Sequence, residues 1–120
     1  MKFLSIYKPG KPEGTPATQH EMAAMGKLIE EFSSAGILLA TEGCLPSAAG
    51  ARVRLSGKNF TVTDGPFTET RELIGGFALI KADSKQQAIE YTKRFLEVAG
   101  GGECEVRQVY EAPAAVPANR

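Results

Sequence analysis

The chain has 120 residues, 42% apolar and 23% charged, with 14 basic and 14 acidic side chains that cancel. That length suits one domain able to bury roughly two-thirds of its unfolded surface. The charge balance argues against nucleic-acid binding and against a polybasic membrane-surface protein, and no apolar run reaches transmembrane length.

The opening segment, Met1 to Tyr7, has too short an apolar stretch for a signal peptide and no small-residue cleavage site, so the expected compartment is the cytoplasm. Cys44 and Cys104 are then expected as reduced, buried thiols, and their separation makes no metal pattern. Residues 2–8 alternate in the period of a strand. Lys8 to Pro16 carries three prolines and two glycines and is a loop. Thr18 opens a helix with Glu21 three residues on, the spacing of a capping box. Met22, Met25, Leu28, Ile29 and Phe32 give that helix an apolar stripe, and Gly36 is placed to cap its end.

Ile37 to Thr41 is a short apolar strand, followed by an irregular segment of small residues. A hairpin follows, Arg52–Leu55 and Phe60–Thr63 around the turn Ser56-Gly57-Lys58-Asn59. Val53, Leu55, Phe60 and Val62 form its apolar face, and Arg52, Arg54, Thr61 and Thr63 form the other. Leu73 to Ala82 is the strongest strand, and its Gly75-Gly76 pair signals a bulge or a close backbone approach. Ser84 with Gln87 suggests a second capping box, and Gly100-Gly101-Gly102 ends the second helix. Glu103 to Tyr110 is a final strand. The domain therefore spans 1–111, and residues 112–120, without periodicity, are expected to be a disordered tail.

Strand, helix, strand, hairpin, strand, helix, strand is the order of split βαβ units in a ferredoxin-like α+β sandwich, an antiparallel sheet with two helices on one face. Two helices cover only one sheet face. Yet Leu73-Ile74, Phe77–Ile80 and Ile37–Leu39 are apolar on both. The simplest cover is a second copy, a homodimer; the alternative is that the hairpin or tail folds over that face.

The segment Thr63-Asp64-Gly65-Pro66-Phe67-Thr68-Glu69-Thr70 sets an acid at a constrained turn, an aromatic at its exit and a second acid beyond. Asp64 is suited to accept hydrogen bonds from backbone two residues on, and Phe67 to pin the turn to the core. As a structural unit this is a well-made corner. As a site, Asp64, Glu69 and Glu42 are candidate acids or bases, and Arg52, Arg54 and Arg107 are candidate clamps for a small anion. Tyr7 and Lys8, at the end of the first strand, would border the same cleft, and the Pro9-to-Pro16 loop is read first as a plain linker, with a lid as the alternative. No cofactor motif, zinc spacing or Ser-His-Asp pattern is present.

From Val62 through Phe77 the sequence resembles the signature of the YCII-related family, specifically its DGPF-motif branch. Gly36–Leu39 with Glu42-Gly43, Gly50–Arg54, Ala88–Glu90 and Glu105–Val109 fit the same branch, so the resemblance covers roughly residues 2–110. It implies a ferredoxin-like dimer of the dimeric α+β barrel type, an enzymatic role suggested through a His–Asp pair in a cleft, and for some relatives a link with extracytoplasmic-function sigma factors. Related sequences often read Gly-Leu-His-Pro where this chain has Gly43-Cys44-Leu45-Pro46, so Leu45 fills the histidine's position. The one histidine, His20, falls near the start of the first helix and is carried as a site candidate. Two readings follow: a small-molecule binder or cofactor-independent acid/base enzyme acting on a small anionic metabolite, or an interaction module partnering a sigma factor.

Overall fold

Among residues 1–69 and 73–111, which the computed structural model describes, the chain runs β1 (Lys2–Lys8), α1 (Gln19–Ser34), β2 (Leu38–Gly43), β3 (Ala51–Ser56), β4 (Asn59–Asp64), β5 (Gly76–Lys81), α2 (Lys85–Ala99) and β6 (Glu103–Gln108). The strands β2, β5, β1 and β6 pair in that order, every neighbour antiparallel. Both helices pack together on one face. This is the ferredoxin-like α+β sandwich, with β3 and β4 inserted as a separate two-stranded ladder.

The helix ends follow local chemistry. Thr18 accepts the Glu21 N–H through its side chain while Glu21 accepts the Thr18 N–H, so the capping box is closed. Gly36 follows the cap in a left-handed conformation, φ +75°, and Gly100 ends α2 at φ +84°. At the start of α2 the expected box is only half made. Ser84 accepts the Gln87 N–H, but the Gln87 carboxamide reaches one residue further back, to the Asp83 N–H.

The core forms where the helix-facing side of β1 meets β5 and α2. Phe3 is 1% exposed and clusters with Ile80, Ala82 and Ala88, and Leu38, Tyr91 and Val106 pack around them. Register sets Leu4 opposite Leu79 and Ile6 opposite Phe77, so the other face of the sheet carries an apolar band of its own. Lys8, Glu105 and Arg107 border that band along the β6 side.

The fifth strand is shorter than Leu73 to Ala82. Beyond Tyr7 and Lys8 the neighbouring strand meets Pro9, which has no N–H to extend the ladder. Gly75 and Gly76 do mark a close approach: a Cβ on Gly76 would stand 2.6 Å from the Glu42 carbonyl, and one on Gly75 2.6 Å from the Pro9 ring. The last strand stops at Gln108, and the tail 112–120 lies outside the described residues.

The hairpin does not cover the sheet. Val53, Leu55, Phe60 and Val62 line one of its faces and are 57–70% exposed. The Cα radius of gyration, 16.5 Å, exceeds the roughly 14 Å of a compact chain of this length. No helix among the described residues is long and apolar enough to cross a membrane. The thiols differ from expectation: Cys104 is half-buried, but Cys44, in the irregular segment after β2, is exposed.

Candidate functional site

At the end of the sheet where β1 gives way to the loop 9–17, Gly75 approaches Pro9, Gly102 approaches Gly10, and Cys44 N–H bonds the Gly75 carbonyl. Tyr7 is the last helix-facing residue of β1, opposite Gly76 on β5 and Cys104 on β6. Beside it, between the sheet and the helices, lies a cavity of about 290 Å³. Its wall is apolar in the main, with Met25, Leu28 and Phe95 from the helices. Ser5, Tyr7 and Thr41 bring hydroxyls to its lining, and Glu42 also borders it, although pairing with Phe77 sets the Glu42 side chain on the other face of the sheet. The Thr41 hydroxyl is already donated to the Phe77 carbonyl, at 2.9 Å, so it faces the cavity as an acceptor.

Tyr7 meets the Phe95 ring edge to face, centroids 5.0 Å apart, and its hydroxyl donates to the Gly101 carbonyl over 3.3 Å. Burial lifts its pKa above the ordinary 10.0, with Cys104 adding to the rise, Lys11 opposing it and Glu21 supporting it. Burial likewise raises the Cys104 thiol. Tyr7 therefore remains a neutral hydrogen-bond donor throughout the physiological range. The unfolded chain releases this proton first, so the contribution to stability is complete below about pH 10 and is lost as pH rises through the folded value. In urea titrations above about pH 9, the wild-type midpoint should fall more steeply than that of Tyr7→Phe. Parallel profiles would contradict the assignment.

The corner after the hairpin is built differently from the sequence expectation. Two residues beyond Asp64 stands Pro66, which offers no N–H. The next amide, Phe67 N–H, goes to the Ser47 hydroxyl at 2.9 Å, and Gly65 N–H goes to the Gly50 carbonyl. Ser47 in turn donates its hydroxyl to Glu13 Oε2 at 2.6 Å and its backbone N–H to Glu13 Oε1 at 2.7 Å. The loop 9–17 is thus tied to the corner through Glu13. Phe67 lies under the Arg52 guanidinium, 4.2 Å from ring centroid to carbon, instead of in the core cluster. Glu13 and Ser47 are the residues sequence reasoning missed; the signal was that Phe67 carries the first free amide after Pro66 and needs an acceptor.

The structure brings some of the candidates together and separates others. Tyr7 and Glu42 both border the cavity, but Glu42 pairs with Phe77, so its carboxylate leaves the opposite face of the sheet from Tyr7. Asp64 pairs with Ala51, on the hairpin face of Val53 and Val62, whereas Arg52 and Arg54 lie on the opposite face with Thr63 and Thr61. Arg107 is held by Glu105 at 2.8 Å, and Lys8 stands 3.9 Å from the same carboxylate, beside the second sheet face. His20 is exposed at the second position of α1, and Glu69 is exposed beyond the corner. Among the described residues no three His, Cys, Asp or Glu side chains gather as a metal site.

A ferredoxin-like sandwich with a cavity at one end of its sheet defines the class of protein. Residues 1–113 match the family model of the YCII-related domain, and the chain belongs to that family. An uncharacterised protein of Rhizobium meliloti (strain 1021) is 32% identical over 72 residues, 60% of this chain and 58% of that relative's length. Among solved structures, 5-chloro-2-hydroxyhydroquinone dehydrochlorinase from Burkholderia phenoliruptrix, in complex with 2,5-dihydroxybenzoquinone, superposes with a TM-score of 0.57. That comparison covers 93% of this chain and 96% of the other at 16% identity, and it supports the fold.

Proposed function

We propose that this protein is a small-molecule-binding member of the DGPF-motif branch, acting in the cytoplasm as a homodimer. The observation that carries the reading is the cavity beside Tyr7, apolar over most of its wall with hydroxyl-bearing residues in its lining. Its described lining holds no lysine or arginine, so it offers no arginine clamp to a ligand that arrives charged. The ligand is a ring-sized metabolite bearing carbonyl or acidic hydroxyl groups. An acidic hydroxyl of the ligand donates to the Thr41 oxygen, and the Tyr7 hydroxyl leaves the Gly101 carbonyl to donate to the ligand's carbonyl oxygen. The quinone in the structural neighbour is a compound of this kind.

A thermal-shift screen of hydroxylated quinones, catechols and cyclic diketones tests the reading, because a ligand of the folded state raises the melting temperature. Stabilisation should be lost in Tyr7→Phe while the unliganded variant melts close to wild type. Equal stabilisation of the variant and of wild type would refute it. Pairing through the apolar sheet face and the exposed hairpin is read by sedimentation at micromolar concentration, where a lone protomer would count against it.

A second reading, an interaction module partnering an extracytoplasmic-function sigma factor, draws on Tyr110, whose side chain is fully exposed beyond β6. Capture of a sigma factor from the native host that is lost in Tyr110→Ala would favour it.

A further inference from the structure

On the far side of Tyr7 lies a second cavity, about 470 Å³ and within the range of ligand sites. Residues of the loop from Pro9 to Ala17 roof it, Met22, Gly26 and Ile29 of α1 form one wall, and Phe95 and Val98 of α2 form the other. Tyr7, Met25, Ile29 and Phe95 also line the first cavity, so the partition between the two is one side chain thick.

Gly26 is the unexpected member of this wall. It stands inside α1, where glycine costs about 1 kcal/mol relative to alanine. No neighbour demands it: a Cβ built there would meet nothing within 4 Å. Its bare backbone keeps the floor of the chamber open. Met22, next along the wall, is left 57% exposed. At the mouth, Lys11 is the one cation of the described lining, 3.3 Å from Glu21 Oε2. The other oxygen of Glu21 is taken by the Thr18 N–H at 2.8 Å. An ammonium has three donors, and Glu21 occupies one.

We infer that this chamber is a second binding site, taking the apolar arm of a small carboxylic acid whose carboxylate meets Lys11. Apolar walls on two helices select the arm, and the lysine at the rim selects an acid over a neutral amphiphile. The site stands independently of the chemistry assigned to the first cavity.

The three methionines make the test direct. Met22 lines only the second cavity, Met25 lines both, and Met1 lines neither. With ¹³C-methyl methionine labelling, octanoate should move the Met22 and Met25 resonances and leave Met1 in place. Gly26→Leu fills the floor and improves helix propensity, so it should fold at least as stably as wild type while weakening octanoate about tenfold or more. Lys11→Met should weaken octanoate and leave octanol unaffected. A Met22 resonance that stays fixed up to the solubility limit overturns the proposal, as does unchanged octanoate affinity in either variant. A ring compound in the first cavity moves Met25 without Met22, so the two readings are judged separately.

Discussion

Phe3→Ala should destabilise the fold by about 3–5 kcal/mol, the cost of removing a fully buried aromatic ring. Phe3 is the largest side chain that the described core encloses completely, and it touches both layers of the sandwich through Ile80, Ala82 and Ala88. The loss belongs at the upper end because Ile80 and Tyr91, beside the ring, already border the open cavity and have nothing to fill a second void with. Against a total stability of about 5–15 kcal/mol this is a large fraction. A melting temperature lowered by more than about 10 °C is expected. Chemical denaturation checks it, and a midpoint within experimental error of wild type would remove Phe3 from the centre of the core. By contrast Val62→Ala, on the exposed hairpin face, should change the stability of an isolated protomer by less than about 0.5 kcal/mol.

Gly65→Ala is the second large effect. A Cβ at position 65 would overlap the carbonyl oxygen of Ser47 and stand 3.2 Å from the Ala48 nitrogen. Both are backbone atoms, so no change of rotamer relieves the contact. Either the corner moves away from the turn at Ser47–Ala49 or the Gly65 N–H loses the Gly50 carbonyl, 2.9 Å away. Overpacking of this kind costs about 1–3 kcal/mol, and here it also pulls Phe67 from Ser47. Ser47→Ala removes the hydroxyl that Phe67 N–H and Glu13 Oε2 share, at about 1–3 kcal/mol, while Glu13 Oε1 keeps the backbone N–H of residue 47. Since both changes break one connected unit, the double variant should lose less than the sum. Additive losses would show that the corner and the turn act separately.

Much of the fold was legible because its signals are local. Thr18 with Glu21, Gly36 and Gly100 mark helix ends by chemistry that spans only a few residues. The doubly apolar character of β1 and β5 was legible too, since alternation fixes which side chains share a face. The same alternation sets Asp64 on the Val62 side of β4, away from Arg52 and Arg54, so a cluster of all three was never compatible with the ladder. The tie from Glu13 to Ser47 was not legible, because it joins two loops far apart in sequence with no periodicity to align them. The cavities were hidden for another reason. An apolar stripe such as Met22 to Phe32 says which side of a helix turns inward, not how completely the space behind it is filled.

The fastening of the loop 9–17 has a practical corollary. The Phe67 amide proton ends on the Ser47 hydroxyl, so deuterium from solvent reaches it only when the corner parts from the turn that Glu13 holds. Its exchange rate thereby times that parting, in a chain that has no tryptophan to report it by fluorescence.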